Sequence, residues 1–169
     1  MNMLLPKLVS MNCLNFDFSE CAFNDDMMTV KDKKDGLSRE GCGRVSIGKL
    51  TGLPNCYTLE CNYAAGRRLN HLTPKLNKLT GKKEAELPIT DATSKQFYNM
   101  GGAAPYTIEV FEDVGRAFCI GILDYYNINP ISRIVTSNLR TLKGIKADLL
   151  AHYPIFLPQK PKKEADDKI

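Results

Sequence analysis

The sequence predicts an α/β segment, on three observations. Residues 44–63 hold two short strand-like runs separated by a turn. Residues 107–125 carry an amphipathic helical pattern, and a helix with one apolar stripe must bury it against another layer, here a sheet. The count is low, about three strands and two or three helices, so the segment reads as incomplete as a domain.

The elements follow in order. Met-Asn-Met-Leu-Leu-Pro-Lys-Leu-Val-Ser10 is apolar but lacks a charged leader, an unbroken apolar block and a small-residue cleavage site. A secretory signal is not expected. Lys31-Asp-Lys-Lys-Asp-Gly36 reads as a polar connection ending in glycine. Arg44-Val-Ser-Ile-Gly-Lys-Leu50 alternates as a strand would, Thr51-Gly-Leu-Pro-Asn55 reads as a turn, and Cys56 to Tyr63 as the next strand. Strands joined by so short a turn pair antiparallel.

Residues 64–104 are polar, weakly patterned and basic, and are expected to form a flexible insertion outside the core. They hold Arg67, Arg68, Lys75, Lys78, Lys82, Lys83 and Lys95 against Glu84, Glu86 and Asp91, an excess equal to the whole chain's +4. Such a segment favours an acidic partner when it is more than a solvated loop.

Residues 105–157 are expected to be helical. Thr107 stands where a helix cap would, with Glu109 in the first turn, and Val110, Val114, Phe118 and Ile122 repeat every four residues, flanked by Phe111, Cys119 and Leu123. Asn129-Pro130 ends that helix, Arg133-Ile-Val-Thr136 is strand-like, and Ser137 caps a second helix with Leu139, Leu142, Leu149 and Leu150 inward. The charged tail, 158–169, is expected to be disordered. Residues 1–63 form the sheet segment of this organisation.

Composition is that of a globular protein, 43% hydrophobic and 25% charged, and its longest apolar runs fall short of a membrane span. Neither a membrane nor a nucleic-acid partner is expected. The six cysteines have irregular spacing and no Cys-x-x-Cys, which favours free thiols in a reducing compartment, the cytosol.

Few residues are placed to carry chemistry. A zinc hydrolase needs about three protein ligands and an open water position. The chain has two histidines, His71 and His152, and neither shows an acidic or histidine partner at helical or strand spacing, so no metal ligand is assigned. No Gly-x-Ser-x-Gly appears, and Gly41 and Gly43 are not followed by the Lys-Ser/Thr of a phosphate loop. Glu60 stands out as a lone carboxylate in a strand-like run, where burial is costly without a partner or a task. From the residues alone, it is either a strand-end carboxylate paired with an arginine or a catalytic base.

Several segments resemble the cytosolic zinc carboxypeptidases, which include tubulin deglutamylases. They are Phe16-Asp-Phe-Ser-Glu-Cys-Ala-Phe23, Lys33-Lys-Asp-Gly-Leu-Ser-Arg-Glu-Gly-Cys-Gly-Arg-Val45 and Tyr57-Thr-Leu-Glu-Cys-Asn-Tyr63. Tyr106-Thr-Ile-Glu-Val-Phe-Glu-Asp-Val-Gly-Arg116 and Asn129-Pro-Ile-Ser-Arg133 are similar to the family's last helix and the turn after it. The resemblance implies the C-terminal part of a carboxypeptidase-type mixed sheet flanked by helices. It implies that Glu60 is the general base, taking a proton from zinc-bound water and passing it to the departing amine. It nominates Arg44 as the cation for an acidic side chain of the substrate, since a guanidinium fork suits a carboxylate. The implied substrates are glutamylated tubulin or other acidic protein tails, and the implied site is cytoplasmic or microtubule-associated.

The chain also departs from the family. The His-x-x-Glu pair and later His that bind zinc, and the Asn-Arg pair that holds the substrate's terminal carboxylate, have no counterpart here. Relatives show an aromatic residue where this chain reads Met28-Thr29, and a shorter link where 64–104 stands. This polypeptide alone is therefore expected to be inactive. Two readings stay open: the C-terminal portion of a zinc carboxypeptidase, or a non-catalytic remnant that binds acidic tails through its basic insertion.

Overall fold

Leu4, Leu5, Leu8 and Val9 fall on two sides of a helix, and that double pattern organises the fold. In the computed structural model, which describes residues 2–23, 31, 36, 42–53, 55–66, 69–84 and 106–153, the apolar opening of the chain is a helix, α1 (Leu4–Ser10), buried along nearly its whole length. Leu4 and Leu8 pack with Phe18, Ile134, Ile145 and Leu149. Leu5, Val9 and Cys13 pack on an adjacent side, about 100° round the helix, with Val114 and Ala117. A helix with apolar residues on two sides, Lys7 alone standing partly exposed, belongs inside a layered structure, and α1 is the inner layer here. Leu8, Val9, Ile145 and Leu149 are almost fully buried, each burial contributing roughly 1.5–3 kcal/mol.

After a 3-10 turn at Phe18–Glu20, capped by Asp17, the next helix is α2 (Gly43–Thr51). This corrects the strand expected over 44–50. Gly52, in the left-handed conformation at φ 69°, donates its N–H to the Gly48 carbonyl at 2.9 Å. That is a helix C-terminus with a glycine stop, and the same glycine had read as a hairpin turn. The strand expected over 56–63 is also absent: among the described residues no ladder forms there. Alternation in sequence makes a strand only where a neighbouring strand accepts it.

The sheet lies elsewhere. Strand β1 (Leu76–Asn77) pairs antiparallel with β2 (Ile131–Ser132), Leu76 opposite Ser132. Leu76 also bridges to Lys83, and Asn77 N–H donates to the Lys82 carbonyl at 2.9 Å, so 75–84 is a hairpin with Gly81 at φ 69° in its turn. The described part of the stretch expected outside the core is thus tied into it. Asn70 donates to the Cys13 and Phe16 carbonyls at 2.7 and 2.6 Å, and Thr73 to the Arg133 carbonyl at 3.1 Å.

Helix α3 (Ile108–Tyr125) is found where the periodicity predicts it. Its buried stripe is Val114, Ala117, Gly121 and Asp124, offset from the expected repeat, whose Ile122 is exposed. The reason is close approach. A Cβ at Gly121 would lie 3.1 Å from Val9 Cγ2 and 3.3 Å from Val9 N, so glycine lets the α1 backbone sit against this face. The helix stops at Tyr125, before Asn129-Pro130, with Asn127 left-handed at φ 57°. Arg133 precedes a 3-10 turn, Ile134–Thr136, rather than opening a strand. The last helix, α4 (Leu142–His152), is capped by Thr141, whose hydroxyl accepts from Gly144 N–H at 2.9 Å, and not by Ser137. Ile145 and Leu149 face the core, and Leu150 does not.

Helices and a two-stranded antiparallel sheet make a mixed α/β arrangement. Met28-Thr29, Gly41 and the tail 158–169 lie outside the described residues.

Candidate active-site segment

Two anchors hold the segment that carries Glu60. The first is α2. Gly48 faces Leu53 and Cys56, and the Thr51 hydroxyl donates to the Ile47 carbonyl at 2.7 Å while accepting from Leu53 N–H at 3.3 Å. The chain therefore turns back sharply and runs beside the helix it has just left. The second anchor is Tyr57. Its ring packs against the Leu5, Val9 and Val114 cluster, and its hydroxyl meets the Asn2 carbonyl and the Asn55 side-chain oxygen. Burial first, then the neighbouring Tyr125 and Cys56, pushes the Tyr57 phenol up to about 12.

Past Tyr57 the chain is exposed from Thr58 to Ala64. Glu60 stands in this stretch, not in a buried strand as its surroundings in sequence suggest. An exposed carboxylate needs no partner to be tolerated, so the burial argument for a special role does not apply here. Arg44, on the first turn of α2, donates through Nη1 to the Thr58 hydroxyl at 3.5 Å, the outer limit of a hydrogen bond. Thr58 precedes Glu60 by two residues, a Cα separation of at most ~7 Å. Arg44 thus lies near the segment that carries Glu60, and among the described residues no ion pair joins the two.

The histidines do not gather. His71 is exposed. His152 sets Nδ1 2.9 Å from the Asp148 carbonyl oxygen and 3.2 Å from its carboxylate. This corrects the expectation that His152 has no acidic partner: Asp148 is one turn back on α4. Among the described residues no three His, Cys, Asp or Glu side chains are grouped to hold a metal ion. The cysteines are free; Cys13 is buried, and Cys61 and Cys119 are exposed.

A polar centre lies elsewhere. Asp124, buried on α3, accepts from Asn12 Nδ2 at 2.9 Å on one oxygen, and from Asn129 Nδ2 at 2.9 Å and Ser132 Oγ at 2.7 Å on the other. It joins α1, α3 and β2 at one point. The signal was available: Asp124 is a lone carboxylate in the apolar run 120–126, five residues before the Asn129-Pro-Ile-Ser-Arg133 motif.

No helix among the described residues is long and apolar enough to cross a membrane. No family model matches the chain. Cytosolic carboxypeptidase-like protein 5 of Rattus norvegicus is 41% identical over 151 residues, covering 89% of this chain and 17% of its own length. The Homo sapiens protein of the same name is 42% identical over the same share of the chain and 16% of its own length. Cytosolic carboxypeptidase 6 of Homo sapiens is 25% identical over 142 residues, 83% of this chain and 20% of that protein. The chain thus spans less than a fifth of the length of the carboxypeptidase-like proteins it matches at 41–42%.

Proposed function

The chain belongs to the cytosolic carboxypeptidase family, and from that premise we propose that it is a portion of a peptidase that removes glutamates from acidic protein tails such as those of tubulin. On this reading Glu60 is the general base and Arg44 receives the acidic side chain of the substrate. The single observation that supports the pairing is the Arg44–Thr58 hydrogen bond, which holds the cation within reach of the Glu60 segment. Glu60 takes the proton of the attacking water and returns it to the departing amine, while the guanidinium fork grips the glutamate carboxylate.

Zinc does not fit the described residues. They bring no three ligand side chains together, and His152 is engaged with Asp148. The metal and the grip on the substrate's terminal carboxylate then belong to the remainder of a full-length family protein. There the helices described here would flank a carboxypeptidase-type mixed sheet, and the present chain by itself would be inactive. A cytosolic, microtubule-associated setting is in keeping with the relatives' names and the proposed substrate.

One observation favours a second reading, a non-catalytic module for acidic tails. Lys78, Lys82 and Lys83 are exposed on the 75–84 hairpin, whose backbone is fixed to the core.

Metal content and glutamate release, measured on the 169-residue chain and on a family protein of full length, separate the readings. The full-length protein is expected to hold zinc and release glutamate, and Glu60→Gln to cut release by about 100- to 10,000-fold. The short chain is expected to do neither. Glutamate release by the short chain with bound zinc would refute the assignment of the metal elsewhere. Salt-sensitive binding of a polyglutamate peptide, with no release from any form, would favour the module.

A further inference from the structure

Helix α3 has three sectors, and only two are explained by the fold. Val114, Ala117, Gly121 and Asp124 face α1. Glu109, Glu112, Asp113 and Arg116 make an ordinary solvated flank. The third sector holds Ile108, Phe111, Gly115, Cys119, Ile122 and Tyr126. These recur at steps of three and four residues within an arc about 80° wide, centred about 145° away from the buried stripe. All six are exposed, Ile108 to 73% and Tyr126 to 67%, with Ile122 at 37% and Phe111 at 38%, the Phe111 ring also meeting Tyr106 edge-on. Leu123 and Ile128 extend the apolar surface at its C-terminal end. A Cβ placed on Gly115 would meet nothing within 4 Å, so the middle of the stripe is open.

Scattered surface apolar residues are ordinary, but four large ones, Ile108, Phe111, Ile122 and Tyr126, in register along five turns with only Gly115 and Cys119 between them are not. A helix apolar on two faces is an inner helix, sandwiched between layers. α1 supplies one layer. We infer that the second is supplied by the remainder of the carboxypeptidase-family protein, which packs on the Ile108–Tyr126 stripe. The inference rests on the reading of the chain as a portion of such a protein. Length argues for this occupant: the match takes in 89% of the chain but only 16–17% of the relatives, so most of a family member lies beyond the matched segment.

The test mixes the 169-residue chain with a cytosolic carboxypeptidase-like protein 5 from which the matching segment has been deleted. The wild-type chain is expected to form a one-to-one complex on size-exclusion chromatography with light scattering. The double variant Ile108→Glu, Ile122→Glu is expected to bind at least about 100-fold more weakly, because it would bury two unpaired charges. Its circular dichroism should match wild type and its melting should shift little, since Ile108 is open and Ile122 is more than one-third exposed in the chain alone. No complex with the wild-type chain, or equal binding by the variant, would overturn the inference. So would a homodimer of the wild-type chain that the variant dissolves, which would assign the face to a second copy. Should the deleted relative fail to fold, the same two glutamates go into the intact relative at the aligned positions. A tenfold or greater loss of soluble protein supports the inference, and unchanged yield and melting overturn it. Glutamate release is no part of either readout, so failure of the docking face and failure of the catalytic reading are separate outcomes.

Discussion

Asp124→Ala tests what holds the described fold together. The carboxylate accepts three hydrogen bonds from neutral side chains, and each donor belongs to a different segment: Asn12 after α1, Asn129 before β2, and Ser132 within β2. Truncation leaves all three donors without that acceptor. Asn12 keeps its second amide proton on the Leu8 carbonyl at 2.9 Å, and Ser132 Oγ still accepts from Ile134 N–H at 3.2 Å, so each side chain stays in place rather than turning to solvent. A buried donor left unmet costs about 1–3 kcal/mol. Partial repair by water entering the small cavity lowers the sum, giving about 3–5 kcal/mol for Asp124→Ala. Asp124→Asn keeps one oxygen for Asn129 and Ser132 but sets an amide against the Asn12 amide. Either that bond is lost, or Asn12 flips and gives up Leu8, so one bond fails and the cost is about 1–3 kcal/mol. Urea unfolding followed by circular dichroism gives both numbers on the full 169-residue chain. A cost below about 1 kcal/mol for Asp124→Ala, or equal costs for the two variants, would refute the hydrogen-bond reasoning.

Three further outcomes are expected. Gly144→Ala should destabilise by about 1–3 kcal/mol in the same assay, although helix propensity alone favours alanine by about 1, because the added Cβ would overlap the Leu139 carbonyl oxygen. In native alkylation followed by mass spectrometry, exposed Cys61 and Cys119 should react at least about tenfold faster than buried Cys13, a difference that disappears in urea. Stability should fall as pH rises from about 9 toward 12. Burial lifts the Cys13 and Cys21 thiols from 9.0 to about 11 and the Tyr57 phenol from 10.0 to about 12, so through that window the unfolded chain releases protons that the folded chain retains. Unfolding midpoints that stay flat to pH 11 would contradict the burial of these groups.

What the sequence made legible depended on whether a pattern was local. Helix α3 was readable because 18 residues of period 3.6 specify themselves, and the Thr107 start held as well. The side chain there does something other than expected: the Thr107 hydroxyl goes to the Glu109 carboxylate, which is held below the usual range. The runs 44–50 and 56–63 were misread because a period of two needs a neighbouring strand to become one. Gly52 could equally close a hairpin or end a helix, and only the 2.9 Å bond back to Gly48 decides which. The pairing of Leu76 with Ser132 was not legible at all, since two-residue strands 55 positions apart leave no periodic trace. Of the candidate site, the contact of Arg44 with Thr58 was not legible: it depends on α2 and on the turn at Thr51–Leu53 that brings the chain back beside it.

An acidic group within an apolar run does need partners, and the residue that meets the description is Asp124, with three of them. Glu60 stands in the open, held only through its neighbours Tyr57 and Thr58. The two carboxylates therefore divide the labour by burial. Asp124 ties α1, α3 and β2 into a body that needs nothing from Glu60, and the Glu60 rim lies over that body through the Tyr57 ring and the α2 fold-back. If the chain is a portion of a longer family protein, as proposed, it can keep its core without the rest, because the interactions that stabilise it are made within the portion. The groups a catalytic base must work with can come from elsewhere in a longer protein. On the proposed reading, the face of α3 toward α1 completes the body, and the face away from it is where the body would join the rest.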